Sequence, residues 1–576
     1  MKKRFIVTFA VLIALAVGCA TYAAITPEPQ PGDPPNLHGR AASGRNGVVA
    51  AARPEASQVG VDILKMGGNA VDAAVATAFA LGVVEPQMSG LGGDGFMLIK
   101  LADMDEAVFI DFRITAPGAS FPQMFLGHDG RTIPAAQTIT GLTIGTPGDV
   151  AGLLYAFDNF GSGVLSRQQI MQPAIDLAEN GFVVTQTLHE LILNNLDRIN
   201  ASPATSAIYT DYGLPLETGD IIRNPDLANT LRAIARDGAS AFYTGPIAEK
   251  IVAAVQEVGG ILTLEDLANY TPVVRRPVVG TYRGYTIISS PPVGSGITIV
   301  QMLNMLENMR SRDLAFGTPS SVNAWVHAMR FAFADRARYV ADPGFVPNIP
   351  LAGMSSKAYA RRLFAQFNLN EALLSASPGD PGRYDPDLTA STSSLSVMDR
   401  AGNMVTTTRT INSFFGSGVG VPGVGIIMNN QLNGFARAPG GVNSIEAFKR
   451  PRSSMSPTIV LDPRGRPFLT LGSPGSERIL TAVALVISNM IDNNMTIQEA
   501  IVAPRWHTMA SGVVHLEGRV PQPVIDAFEY MGYNVMVRPN WDLFFGGVHA
   551  VHFEHRRGGW LHGGADPRRD GEARAF

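Results

Sequence analysis

The chain has 576 residues, 46% hydrophobic and 16% charged, which supplies an extensive core and excludes a disordered protein. A formal charge of -4 leaves no basic footprint, so nucleic acid is excluded as a partner. A single cysteine, Cys19, excludes a disulfide framework and leaves the body without a thiol nucleophile.

The first residues, Met1-Lys2-Lys3-Arg4, precede the apolar run Phe5 to Val17 and then small residues, so residues 1–24 read as an export signal. That run is too short for a membrane span, and the mature body is expected in the periplasm or outside the cell. Cys19, in Leu15-Ala16-Val17-Gly18-Cys19, stands where a lipid-anchored protein carries its modified residue, so a lipid anchor there competes with ordinary cleavage after Ala23. Pro27, Pro29, Pro31, Pro34 and Pro35 make 25–46 a linker, with the folded body starting near Gly47.

From Val61 to Leu81 apolar residues and alanines recur at helical spacing, predicting one packed helix. Gly90-Leu91-Gly92-Gly93-Asp94-Gly95 has the spacing of a dinucleotide fingerprint, but a helix precedes it and strand-like Phe96-Met97-Leu98-Ile99 follows. A Rossmann site needs the reverse order, so the glycines shape a buried turn and no cofactor is expected. Helical patterns recur near 164–180, 225–237, 245–257, 296–309 and 320–340, with β-like Tyr285-Thr286-Ile287-Ile288 among them, a mixture that argues for α/β or α+β.

Residues 375–390, broken by Pro378, Pro381 and Pro386, read as a connector into a strand-rich region near 395–399, 404–412, 424–428, 457–461 and 467–471. Asp399-Arg400-Ala401-Gly402 fits a tight hairpin, with Gly402 as the positive-φ bulge residue. Counting outward from it places Thr392 opposite Thr410, and a loop one residue longer would reverse the faces. Two readings of Ser391-Thr392-Ser393-Ser394 are open. Thr392 becomes a new amino terminus by self-cleavage, or the hydroxyls are ordinary strand composition.

Several dispersed segments resemble the γ-glutamyltranspeptidase family. They include Gly67-Gly68-Asn69-Ala70-Val71-Asp72, Asp111-Phe112-Arg113, Ala332-Phe333-Ala334-Asp335-Arg336, Lys449-Arg450-Pro451-Arg452-Ser453-Ser454-Met455-Ser456-Pro457-Thr458, Gly472-Ser473-Pro474-Gly475 and Gly564-Ala565-Asp566-Pro567. The resemblance implies an α+β four-layer αββα sandwich of the N-terminal-nucleophile hydrolase type, formed jointly by a large chain, 47–391, and a small chain, 392–576, cut from one precursor. It makes Thr392 the nucleophile and Thr410 its hydrogen-bonding partner, with Gly475 and Ser476 as backbone oxyanion donors. Arg113, Ser453 and Ser454 would hold the α-carboxylate of a glutathione-like γ-glutamyl substrate. Asn412 and Gln431 would contact its amino side.

Asn433 and Gly434 stand where the family carries two acidic residues, the second of which anchors the substrate's α-ammonium. Glutamyl recognition is weakened there, and the segment 435–449 is short where relatives carry a lid. The alternative is a cephalosporin-type acylase taking glutaryl groups, and a third reading is a binding protein that has lost turnover. His549, His552 and His555 cannot converge on a metal from one strand, because His552 points away from the other two. Gly416-Ser417-Gly418 and Gly294-Ser295-Gly296 lack nucleophile-elbow spacing and read as turns.

Overall fold

The computed structural model describes residues 40–138, 140–379 and 391–576. The expected signal, Cys19, most of the expected linker, residues 380–390 and the side chains of Ser391 and Thr392 lie outside the described residues.

Two seven-stranded sheets make the centre. In the first, Ser391–Asp399 and Met404–Asn412 run side by side, flanked by Gly47–Ala51 and Asp94–Lys100 and then by Glu572–Ala575, Val108–Phe112 and Val273–Arg275. The second orders Ala41–Gly44, Trp560–Ala565, His549–Glu554, Pro467–Gly472, Thr458–Leu461, Tyr285–Ser289 and Val278–Tyr282. Their pairings are antiparallel. The sheets face each other, and helices cover both outer faces, giving the α+β sandwich expected.

Alternation along the central strands explains the hydroxyls. Leu395, Val397 and Val405 point into the core under the first helix layer. Ser394, Ser396, Thr406 and Thr408 point the other way, into the seam between the sheets. There the Ser396 hydroxyl donates to the His549 carbonyl at 2.9 Å, and Ser394 meets His549 Nδ1 at 2.8 Å. Gly472 on the facing strand lets the sheets approach closely, since an added Cβ would lie 3.2–3.3 Å from Thr408, Ser394 and Thr406.

The hairpin forms as read. Gly402 has φ +89°, and its N–H donates to the Asp399 carbonyl at 3.1 Å. The Asp399 carboxylate accepts from Ala401, from Asn403 and, at 3.0 Å, from Ala70 N at the start of a helix, so the turn is locked to the helix layer. The ladder keeps its register to Ser393↔Arg409 and then shifts, so that Ser391 faces Asn412. The irregularity falls at Thr392, where the hairpin register alone cannot reveal it, and sets the Thr410-Ile411 pair of the neighbouring strand against that one position.

Other expectations change. The Val61–Leu81 helix is two helices, Pro54–Lys65 and Ala70–Val84, broken where Gly67 takes φ +95° and Asn69 with Asp72 forms a capping box. The folded body begins before Gly47, since Ala41–Gly44 pairs with Trp560–Ala565. Residues 424–428 carry one isolated bridge, Gly420↔Ile427, in place of a strand. The helix expected from 164 starts at Arg167, after the Ser166 cap. Among the described residues no helix is long and apolar enough to cross a membrane.

Candidate active site

Thr410 and Asn412 end the strand beside Ser391–Asp399. Asn412 sits at φ +78°, a left-handed conformation that asparagine tolerates better than most residues. Its backbone N–H donates to Thr410 Oγ1 at 2.8 Å, and its side-chain amide donates to Asn430 at 3.0 and 3.1 Å.

The glycine turn lies directly behind. A Cβ on Gly93 would fall 2.3 Å from the Thr410 carbonyl, and one on Gly92 2.2 Å from the Ile427 carbonyl. Only glycine permits that approach. Asn429 ties the turn to the site by donating to the carbonyls of Gly92 and Gly145 at 2.8 and 2.9 Å, while its side-chain Oδ1 accepts from Gln431 N at 3.1 Å.

Arg113 follows the Val108–Phe112 strand and is 3% exposed. Its Nη1 meets both Asp94 oxygens, at 2.8 and 3.0 Å, and its Nε donates to the Pro451 carbonyl. Burial pushes the Asp94 carboxyl up to about 6, against the pull of Arg113. The third arm, Nη2, lies 3.5 Å from where a side chain on Gly434 would begin.

Arg336, in the Pro319–Tyr339 helix, organises the opposite wall. It donates to Ser295 Oγ at 2.8 Å and Ser454 Oγ at 2.7 Å, and it pairs with Glu477 at 3.4 Å. Burial raises the Glu477 carboxyl, but Arg336 and the Ser476 hydroxyl outweigh it and hold the group below the usual carboxylate range. Ser295, read as a turn residue, also donates to the Ser453 carbonyl at 2.6 Å. Gly475 and Ser476 have φ +124° and +57°, just before the Arg478–Ile491 helix. A Cβ on Gly475 would come within 2.9 Å of Gly546 Cα. Among the described residues neither backbone N–H donates to a protein acceptor.

These pieces converge. One cleft of about 50 Å³ is lined by Arg113, Thr410, Asn412, Gln431, Gly434, Ser453, Ser454 and Ser476, with Gly475 adjoining and Ser391 paired to Asn412 at its edge. Arg336, Arg452 and Glu477 also line it and had been given no role from sequence. Asp94 is the other omission. The signal for it was its carboxylate inside a glycine turn, and for Arg336 its place in a segment already singled out. Asn443 braces the cleft from behind, donating to the Gly434 carbonyl at 2.8 Å and accepting from Arg452 N at 2.9 Å.

Beside the expected nucleophile, the Ser393 hydroxyl donates to Glu85. Burial pushes that carboxyl up to about 7, although Ser393, Arg569 and Arg53 favour its charged form. His549 is fully buried in the seam and bonded to Ser394.

The family model for Gamma-glutamyltranspeptidase matches residues 56–576. A glutathione hydrolase proenzyme of Escherichia coli is 39% identical over 525 residues, covering 88% of this chain and 89% of that protein. Acylase ACY 1 proenzyme of Pseudomonas sp. strain SE83 is 38% identical over 537 residues, covering 92% and 93%. A cephalosporin acylase from Bacillus halodurans superposes with a TM-score of 0.85 at 29% identity over 96% of this chain and 99% of that one. With a family model spanning nearly the whole chain and relatives of this identity and coverage, the chain belongs to the gamma-glutamyltranspeptidase family.

Proposed function

We propose that this chain is a precursor that cuts itself before Thr392 and then hydrolyses or transfers γ-glutamyl groups of glutathione-like compounds, acting after export. The observation that carries the reading is the convergence on one cleft of a buried arginine, paired serines, unengaged backbone donors and the strand end that faces Ser391. The names of the relatives, glutathione hydrolase proenzymes among them, agree with it.

In processing, Thr392 Oγ attacks the Ser391 carbonyl carbon and the C–N bond between them breaks. Water then hydrolyses the resulting ester, leaving a carboxylate on Ser391 and a free α-amine on Thr392. In turnover that amine takes the hydroxyl proton as Oγ attacks the substrate's γ-carbonyl. The oxyanion is met by the N–H groups of Gly475 and Ser476. Collapse breaks the substrate C–N bond, the departing amine receives the proton, and water or an amino acceptor takes the acyl group from Thr392. Arg113 with Ser453 and Ser454 receives the α-carboxylate, a task suited to a guanidinium fork.

A second reading, an acylase for dicarboxylic acyl groups, is favoured by the absence of an acid at Asn433 and Gly434 and by the acylase relatives. Release of aniline from γ-glutamyl and glutaryl anilides by the processed protein distinguishes the two. Faster turnover of the glutamyl compound supports the first, and a glutaryl preference overturns it in favour of the second.

A further inference from the structure

The cleft has three chemically distinct corners. Arg113, Ser453 and Ser454 offer a cation and hydroxyls, and Gly475 with Ser476 offers backbone donors. The third corner, Asn412, Gln431 and Gly434 with Asn433 beyond them, presents side-chain amides and no acidic side chain, and the Asn433 oxygen already accepts from Arg437.

Gln431 is fully buried there, and among the described residues neither Oε1 nor Nε2 has a hydrogen-bond partner. A buried amide with both a donor and an acceptor unmet is costly, and its complement is another amide. An ammonium would satisfy Oε1 alone and leave the Nε2 hydrogens facing a positive charge.

A second cavity, of about 760 Å³, opens at this corner. It shares Asn412 with the cleft and is walled by Asn430, Asn433, Ser413 and Ala201, and its charged lining residues are Arg198 and Glu257. Arg198 is occupied in part, donating to the Phe414 carbonyl at 2.8 Å. The chamber does not touch Gly475 or Ser476, so it extends from the nitrogen end of the acyl group and away from the carbonyl under attack.

We infer that the preferred acyl donor is a γ-glutamyl group whose α-nitrogen is itself acylated, an N-acyl or peptide-extended glutamyl, with the extension lying in the larger chamber. This rests on the γ-glutamyl reading above. An amide corner without an acid replaces an ammonium anchor because the nitrogen it meets carries no charge. The bond broken is still the γ-amide, and the α-amide is left intact.

The test compares γ-glutamyl p-nitroanilide, its N-acetyl and N-glycylglycyl derivatives, and glutaryl p-nitroanilide, with the processed wild-type protein. The expected result is a kcat/KM for the N-acylated compounds at least about tenfold above that for the free amine, the scale of one hydrogen-bonded amide contact. Mass spectrometry should find the released acid still N-acylated. Ala201→Trp, at an exposed position of the chamber wall, should lower the ratio of N-glycylglycyl to free-amine kcat/KM by about tenfold. Gln431→Glu should reverse the preference toward the free amine. Turnover of the free amine in preference to the N-acylated compounds overturns this inference and leaves the γ-glutamyl reading standing. Turnover of the glutaryl compound alone, or of none, overturns both. An Ala201→Trp ratio equal to wild type removes the chamber from the account.

Discussion

Arg113, on the cleft wall, grips both carboxylate oxygens of Asp94 behind it, at 2.8 and 3.0 Å, with Asp94 fully buried. The guanidinium is therefore aimed and partly neutralised before substrate arrives, and one arm remains toward Gly434.

Removing that partner should be costly. Asp94→Asn leaves a buried guanidinium short of its countercharge, and the loss expected in urea unfolding is about 3 kcal/mol. A carboxylate ligand such as glutamate should then stabilise the variant more than the wild type, read as the larger rise in melting temperature. Equal ligand effects in the two proteins would contradict the pairing's role in the site.

Gly475 tests the oxyanion assignment. Its φ of +124° and the 2.9 Å approach of Gly546 leave no room for a methyl group. Gly475→Ala should displace the backbone donors and lower kcat by about 10²- to 10³-fold, with a smaller change in KM, since those donors act on charge that develops in the transition state. Steady-state kinetics on an anilide decide it, and a kcat within about twofold of wild type would sink the assignment.

Arg336 holds Ser454 and Glu477 through separate arms of its fork. Arg336→Lys keeps the charge and loses the second arm, so KM should rise by about tenfold while kcat falls less. An unchanged KM would show that Ser454 needs no such brace.

Glu85 should give the protein a pH-dependent stability. Its carboxyl is raised from the ordinary 4.5 to about 7 by burial, so the folded state holds a proton that the unfolded state has released. Stability from this group is therefore present below about pH 4.5 and lost as pH rises toward 7, a difference of about 3 kcal/mol in all. Glu85→Gln keeps a hydrogen-bond acceptor for Ser393 without the charge. Relative to wild type, the variant should gain stability between pH 5 and pH 8 in urea melts. Parallel profiles would contradict the raised carboxyl.

Much of the architecture was legible because periodicity and turn chemistry are local. The helices Pro225–Asp237 and Gly245–Glu257 and the Asp399 hairpin stand where their patterns put them. The bulge between Ser391 and Ser393 was not, because nothing in a run of hydroxyls marks where a ladder slips. The break at Gly67 was hidden because apolar residues before it and alanines after it continue the helical spacing. At the site, residue types with one obvious chemistry, such as Arg113 and Ser453, could be picked out. Asp94, Arg336 and Glu477 act by pairing across the fold, and chain order does not reveal which charges will meet. The polar seam of Ser394, Ser396 and Thr406 likewise acquires its meaning only when the second sheet brings His549 and Gly472 against it.

The central claim is a backbone cut that frees the amine of Thr392, and the direct measurement is the intact mass and first residue of the smaller fragment of purified protein. The account predicts a fragment that begins at Thr392 and ends at Phe576, and a single uncut chain for Thr392→Ala. Fully active wild-type protein recovered as one unbroken chain, or a Thr392→Ala variant still cut at the same bond, would contradict it.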